Sequence, residues 1–303
     1  MRFVLDDDQR DFAAALDSLL SSAGTIAVAR AWADGDHDPG LKLWSRLAEL
    51  GVTSLASDAT AVEVAIAFEA LGRHAVPGPW VESAAYLPVA LGHEVEGIAT
   101  VALPPHVPFA LDADIADQVY VGSAPAESIG EMHRSVDRTR RLFEVVSTSS
   151  TTERRSTTDG RSTTDPAAFE MAVLAVSAQL LGAGERVLAD SVSYVKQRTQ
   201  FGRPIGSYQA IKHALADVRI ALDFARPLVF GAALGEVDVS AAKIAAGEAA
   251  YLSSRTGLQV HGAIGYTAEF DLSLWLTKIR ALVTAWGTPD AHRGRILHQL
   301  GVG

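Results

Sequence analysis

The chain has 303 residues, 48% of them hydrophobic, with 36 acidic side chains against 26 lysines and arginines and a formal net charge of −10. That length and apolar content suffice for a large core or two packed domains, while the acidic balance does not attract phosphate backbones and argues against a nucleic-acid partner. The absence of cysteine excludes disulfides, zinc–thiolate sites, iron–sulfur clusters and cysteine nucleophiles.

The N-terminus, MRFVLDDDQRDF, carries three consecutive acids and no apolar signal core, so no export signal is expected. No uninterrupted apolar stretch is expected to be long enough to span a bilayer, and a soluble cytoplasmic protein without membrane association is the default. Residues 5–22 place Leu5, Phe12, Leu16, Leu19 and Leu20 at helical spacing. Residues 41–50 repeat the pattern up to Gly51, a helix C-cap candidate. Further helices are predicted over 61–73 and, after Pro77 and Pro79, over 80–92. Near residue 97 the pattern changes. ATVALP, DQVYVGS and RRLFEVVSTS alternate like strands, giving a small β module over about 97–153. Residues 155–165, RSTTDGRSTTD, duplicate one pentapeptide around a glycine and suit an exposed loop or hairpin tip. From Pro166 onward helices are predicted over 167–197, 207–234, 238–261, 271–284 and 289–299. Long helices on short links favour an antiparallel bundle. The expected fold class is mostly α (α+β): an N-terminal helical domain (1–96), a reduced β-domain (97–165) and a C-terminal helical bundle (166–303).

Two segments carry chemistry. In Gln197-Arg198-Thr199-Gln200-Phe201-Gly202-Arg203-Pro204-Ile205-Gly206-Ser207-Tyr208-Gln209, a long helix is expected to end at Gly202, Pro204 to force a turn and Ser207 to cap the next helix. A forked guanidinium beside a helix N-terminus suits a phosphate, and equally suits a solvated surface corner. In Gln259-Val260-His261-Gly262-Ala263-Ile264-Gly265-Tyr266, the glycines allow backbone amides to approach a ligand, or simply end a helix.

In this order, the two segments resemble the acyl-CoA dehydrogenase family, the first its RxQFGxPIxxxQ corner and the second its QxxGGxGY turn. Asp8-Gln9-Arg10, Leu43 to Gly51 and Phe68 to Arg73 are similar to its N-terminal helical domain. The resemblance implies an N-terminal helical domain, a middle β-domain, a C-terminal four-helix bundle and bound FAD. It also implies that corner and turn hold the adenosine and pyrophosphate end of the FAD seated in a neighbouring subunit. Those roles fall on Arg198, Gln200, Phe201, Gln209, Gln259, Gly262 and the backbone at Ala263. Ala263 departs from the family's second glycine, and its methyl group requires a negative φ.

The resemblance fails at the catalytic base. The family removes an α-proton with a carboxylate while a hydride passes to the flavin, and most members keep that glutamate before a Gly-Thr pair. Here the stretch reads Thr284-Ala285-Trp286-Gly287-Thr288, and tryptophan accepts no proton. The family's alternative position, counted back from Arg198, falls on Ala172. Glu170 lies two residues, about 200°, away around a helix and should face elsewhere. The family's TEPxxGS-like loop and Trp-bearing strand are missing, so no flavin-ring pocket is expected. No catalytic residue is therefore assigned, and no metal site either, because the nine histidines show no HExxH or paired spacing. The pattern is similar to the short, non-catalytic subunit of heteromeric (α2β2) bacterial acyl-CoA dehydrogenases of sterol catabolism. That implies a full-length acyl-CoA dehydrogenase partner and an acyl-CoA substrate. A self-sufficient enzyme using Glu170 or another base, and a flavin-free scaffold, are the alternatives.

Overall fold

The N-terminal helices start where side chains can satisfy their free N–H groups. The computed structural model describes residues 4–146 and 165–301. Helix α1 (Asp7–Ser22) opens on a capping box in which Asp6 accepts from the Gln9 N–H and Gln9 accepts from the Asp6 N–H. Helix α5 (Ala61–Arg73) opens on the same device, made by Thr60 and Glu63. Gln9 Nε2 donates to Glu63 Oε1 at 2.9 Å, joining the two caps. Between them run α2 (Thr25–Ala33), α3 (Asp38–Glu49) and α4 (Leu55–Asp58). Trp44 of α3 stacks on Trp80, ring centroids 3.7 Å apart. The helix expected over 80–92 forms unevenly, as a π turn (Glu82–Tyr86) followed by α6 (Leu87–Leu91). Pro88 has no N–H to donate, which interrupts the α ladder, and Glu82 is carried into the interior, 1% exposed.

The β module contains six strands where three were expected. Strands β1 (Ala99–Ala102) and β3 (Gln118–Val121) pair in parallel, with β4 (Ala124–Pro125) antiparallel to β3. In the second sheet β6 (Arg141–Val146) lies between β2 (Ala110–Leu111) and β5 (Ser128–Arg134). Most of β5 is exposed, so it lacks the alternation that sequence reasoning needs. The module's separate core cluster is small: Ala102, Ala110, Ala113 and Phe143. Ion pairs within the module and to the helices compensate. Lys278 Nζ lies 3.1 Å from Asp137 Oδ2 and 3.2 Å from Thr139 Oγ1. Arg141 reaches Asp112 at 3.1 Å and Asp114 at 2.8 Å and lies 5.7 Å over the Trp32 ring. The duplicated pentapeptide lies outside the described residues except Asp165, whose side chain accepts from the Ala167 and Ala168 N–H groups.

The bundle follows the predicted pattern closely, as α7 (Pro166–Gln197), α8 (Gln209–Ala233), α9 (Val239–His261), α10 (Leu272–Thr284) and α11 (Pro289–Gln299). Helices α5 and α7 touch backbone to backbone at Gly72 and Gly182. A Cβ on Gly72 would fall 2.1 Å from the Gln179 carbonyl oxygen, and one on Gly182 would fall 1.9 Å from that of Glu69. Trp275 Nε1 donates to the Gly72 and Arg73 carbonyls at 3.2 and 3.0 Å, satisfying groups at the end of α5. Beside this contact Glu69 takes Arg226 at 2.7 and 2.9 Å, and Glu185 takes Arg219 at 2.6 and 2.7 Å. One expectation is corrected here. By length and composition α7 is apolar enough to cross a bilayer, but most of its apolar stretch is buried inside the protein. The apolar content of residues 167–261 likewise goes largely into the core. The apolar side chains left exposed there are fewer, chiefly Phe201, Ile220, Phe224, Leu234, Tyr251 and Leu252.

Candidate functional site

Helix α7 stops at Gln197, short of the expected Gly202, with Arg198 as its C-cap in extended conformation. The next residues prefer a hairpin. Strands β7 (Thr199–Gln200) and β8 (Arg203–Pro204) pair antiparallel, and Phe201 and Gly202 turn between them with φ of 52° and 79°. Two successive left-handed residues are what a tight hairpin turn demands. A 3-10 turn (Ile205–Ser207) leads into α8. Tyr208, not Ser207, holds the N-cap position, and its side chain makes no capping bond. Ser207 Oγ is buried without a partner among the described residues. The Arg203 guanidinium packs 4.0 Å from the Tyr208 ring centroid and props the hairpin.

Arg198, Gln200, Phe201 and Gln209 are all exposed. Gln200 Nε2 donates to the Thr199 carbonyl at 2.9 Å. Among the described residues the Arg198 side chain has neither a hydrogen-bond nor an ion-pair partner. Phe201 is 92% exposed. A bulky residue held at positive φ with its ring in solvent is costly on both counts, and a surface from outside this chain would remove the second cost.

The other segment closes α9. Gln259 is exposed in its last turn, and Gly262 follows with φ 65° and ψ −140°. Ala263 lies in the 3-10 turn Gly262–Tyr266 and is not among the positive-φ residues, so its methyl group is accommodated. Tyr194, one turn before Arg198, stacks on His261 with centroids 4.2 Å apart. The ends of α7 and α9, which carry the two segments, are therefore neighbours. An open groove beside Tyr251, Leu252, Arg255, Gln259 and Gly262 continues along α9.

The position before Gly287-Thr288 is filled by Trp286, 1% exposed, with φ 56°. Its Nε1 donates to Glu82 Oε1 at 3.3 Å, and its ring lies 5.0 Å from Tyr86 and 6.1 Å from Phe169. The turn is clamped from two sides. Lys243 Nζ donates to the Leu282 and Val283 carbonyls at 3.0 Å each, and burial pulls its pKa down to about 7. His292 lies 3.0 Å from the Trp286 carbonyl through Nε2 and 3.1 Å from Ser240 Oγ through Nδ1. Burial, helped by the Lys243 charge, lowers the His292 pKa to about 4. The ring is thus neutral near pH 7, and Nε2 carries the proton because a carbonyl can only accept. Sequence reasoning missed Glu82, Lys243 and His292 as a group, since they come from three separate helices. A lone acid within the apolar run WVESAAY was the one local signal.

Residues 163–301 match the family described as acyl-CoA dehydrogenase, C-terminal domain. The chain is 31% identical over 285 residues to acyl-CoA dehydrogenase IpdE2 of Mycobacterium tuberculosis, an alignment covering 86% of this chain and 87% of that protein. The chain belongs to the acyl-CoA dehydrogenase family. Its fold matches the ChsE4–ChsE5 complex of Mycobacterium tuberculosis with a TM-score of 0.80 at 20% identity, covering 100% of both chains. It also matches the Tcur3481–Tcur3483 steroid ACAD, with a TM-score of 0.78 at 18% identity, covering 97% of this chain and 98% of that one.

Within this acyl-CoA dehydrogenase the alternative base candidate is out of place. Glu170 is exposed and 3.4 Å from Arg295, whereas Ala172 is wholly buried. Glu170→Gln is expected to change kcat of the assembled enzyme less than twofold and its stability by less than about 0.5 kcal/mol, as for an exposed ion pair. A hundredfold loss of kcat with flavin retained would instead make Glu170 the base. A cavity of about 490 Å³ lies beside Trp286, with Glu82, Phe109, Arg140, Leu142 and Arg280 in its lining.

The adenosine–pyrophosphate half of FAD fits the residues at the two helix ends. They offer a forked guanidinium without a partner among the described residues, two amide side chains and a glycine whose Cβ position meets nothing within 4 Å. Arg198, Gln200 and Gln259 are exposed, so the described residues do not enclose such a group.

Proposed function

We propose that this chain is the FAD-holding, base-free subunit of a heteromeric acyl-CoA dehydrogenase, paired in the cytoplasm with a full-length family member in an α2β2 assembly. The observation that carries the proposal is the division at the site: Trp286 is buried at the base position, while Arg198 is exposed with no side-chain partner among the described residues. In the assembled enzyme Arg198 neutralises the pyrophosphate of the partner's FAD, Gln200 and Gln259 donate to its polar edge, and Phe201 covers it from water. FAD, once bound, supplies the hydride acceptor for oxidation of a CH–CH bond next to the thioester. The α-proton goes to a carboxylate of the partner, because Trp286 fills the base position of this chain. The acyl group is assigned as a bulky, sterol-derived one. That assignment draws on the likeness to a steroid ACAD and to IpdE2 and ChsE4–ChsE5.

The test is co-expression with a full-length relative encoded nearby, followed by flavin counting per chain. The isolated chain is expected to be colourless or nearly so, and the co-purified complex yellow, with fewer flavins than chains. A stoichiometric FAD spectrum from the isolated chain would show that it holds its own flavin and would overturn the proposal.

A further inference from the structure

The cavity beside Trp286 is built from two unlike parts. The β module contributes Val107, Phe109 and Leu142, and the end of α10 contributes Ala281 and, just after it, Ala285 and Trp286. These walls are apolar, and about 490 Å³ lies within the usual range for small-molecule sites. Two cations interrupt them. Arg140 is half-buried and Arg280 is exposed, and among the described residues neither guanidinium has a hydrogen-bond or ion-pair partner. Two uncompensated guanidinium groups on one apolar cavity favour an anionic group there.

At the interior end lies Glu82. Its Oε1 accepts from Trp286 Nε1, while Oε2 is buried with no partner among the described residues. Burial pushes this carboxyl above the usual range, although the Arg140 charge opposes the shift. Burial favours the protonated acid, and Oε2 finds no partner among the described residues. Buried polar groups left without partners are few in folded proteins and call for a reason. A carboxyl group kept neutral by an apolar setting is an efficient donor to a carbonyl oxygen.

We propose that this cavity is a ligand site of this chain's own, taking an apolar keto acid whose carboxylate lies toward Arg140 and Arg280 and whose carbonyl oxygen accepts a hydrogen bond from Glu82. Each part of the lining has a counterpart in such a molecule: the arginines match the anion, the aromatic and aliphatic walls match the body, and Glu82 matches the inner oxygen. The site is independent of the flavin-holding role. It involves neither Arg198 nor the turn at Gly262, so either proposal can fail without the other.

The test is calorimetric titration of the full chain with straight-chain keto acids of graded length. Fatty acids of matched length, the keto acids' methyl esters and their CoA thioesters serve as comparison arms. Saturable binding is expected for a keto acid, about tenfold tighter than for the matched fatty acid, which lacks the acceptor for Glu82. Glu82→Leu is expected to abolish the keto preference while leaving fatty-acid binding intact. Arg280→Gln, on the exposed side, is expected to weaken acids about tenfold and methyl esters little. The proposal is overturned by absence of saturable binding to the wild-type chain, by affinities that neither variant changes, by methyl esters binding as tightly as acids, or by binding confined to the CoA thioesters.

Discussion

Trp286→Ala is expected to destabilise the chain by about 3–5 kcal/mol, the range for emptying a fully buried large aromatic site. Trp286 is among the largest fully buried side chains, and it packs between Tyr86 and Phe169 while its indole N–H engages Glu82. Alanine leaves Glu82 with no donor at all and opens space at the junction of the π turn, α7 and the end of α10. The left-handed backbone at residue 286 remains, because alanine relieves it no better than tryptophan. Urea unfolding should show a lower midpoint with an unchanged slope, as expected when stability alone falls. A loss under about 1 kcal/mol would mean that the site collapses freely and that Trp286 is not a packing keystone. The companion variant Trp286→Glu is expected not to restore dehydrogenation to the isolated chain. The isolated chain is proposed to hold no flavin of its own, so a carboxylate at residue 286 would have no hydride acceptor beside it. Turnover of an acyl-CoA by isolated Trp286→Glu would contradict this.

The sequence made legible what is local. Helices α5 and α9 were found to within a residue or two because Thr60 and Asp238 cap them and their apolar stripes are regular. Helix α2 escaped notice because it starts after left-handed Gly24 with no side-chain cap. The break within residues 80–92 depends on Pro88 and on what Glu82 meets across the core, and neither follows from periodicity. The corner was recognised by residue type, but its shape was misjudged. The chain leaves the helix at Arg198, since Phe201 and Gly202 together form a hairpin turn that a reading of glycine as a helix stop does not foresee. The family resemblance assigns the base position to Trp286. Its clamp by Lys243 and His292 was invisible, because those contacts span helices distant in sequence.

Arg198→Ala is expected to lower the FAD affinity of the assembled enzyme about ten- to hundredfold, although the base is assigned to the other chain. Arg198 is the C-cap residue of α7 at the protein surface, and its guanidinium spends none of its donors within the described residues. Removing it should therefore leave this chain's fold intact and cost only what it binds. A hydrogen bond to a charged group is worth roughly 1.5–3 kcal/mol, which sets the size of the effect. Arg198→Lys should recover part of the loss, since a point charge replaces a two-pronged donor. Arg203→Ala gives a different comparison. It removes the cation stacked on Tyr208 and so loosens the hairpin without removing an assigned phosphate donor, and a smaller loss is expected. Titration of apo-complex with FAD, read by flavin fluorescence, separates these outcomes. Arg198→Ala much weaker than wild type, with Arg198→Lys between them, would match a pyrophosphate contact. Equal affinity for wild type and Arg198→Ala would remove the main support for a flavin-holding role, leaving Phe201 and the groove along α9 as features of a protein interface alone.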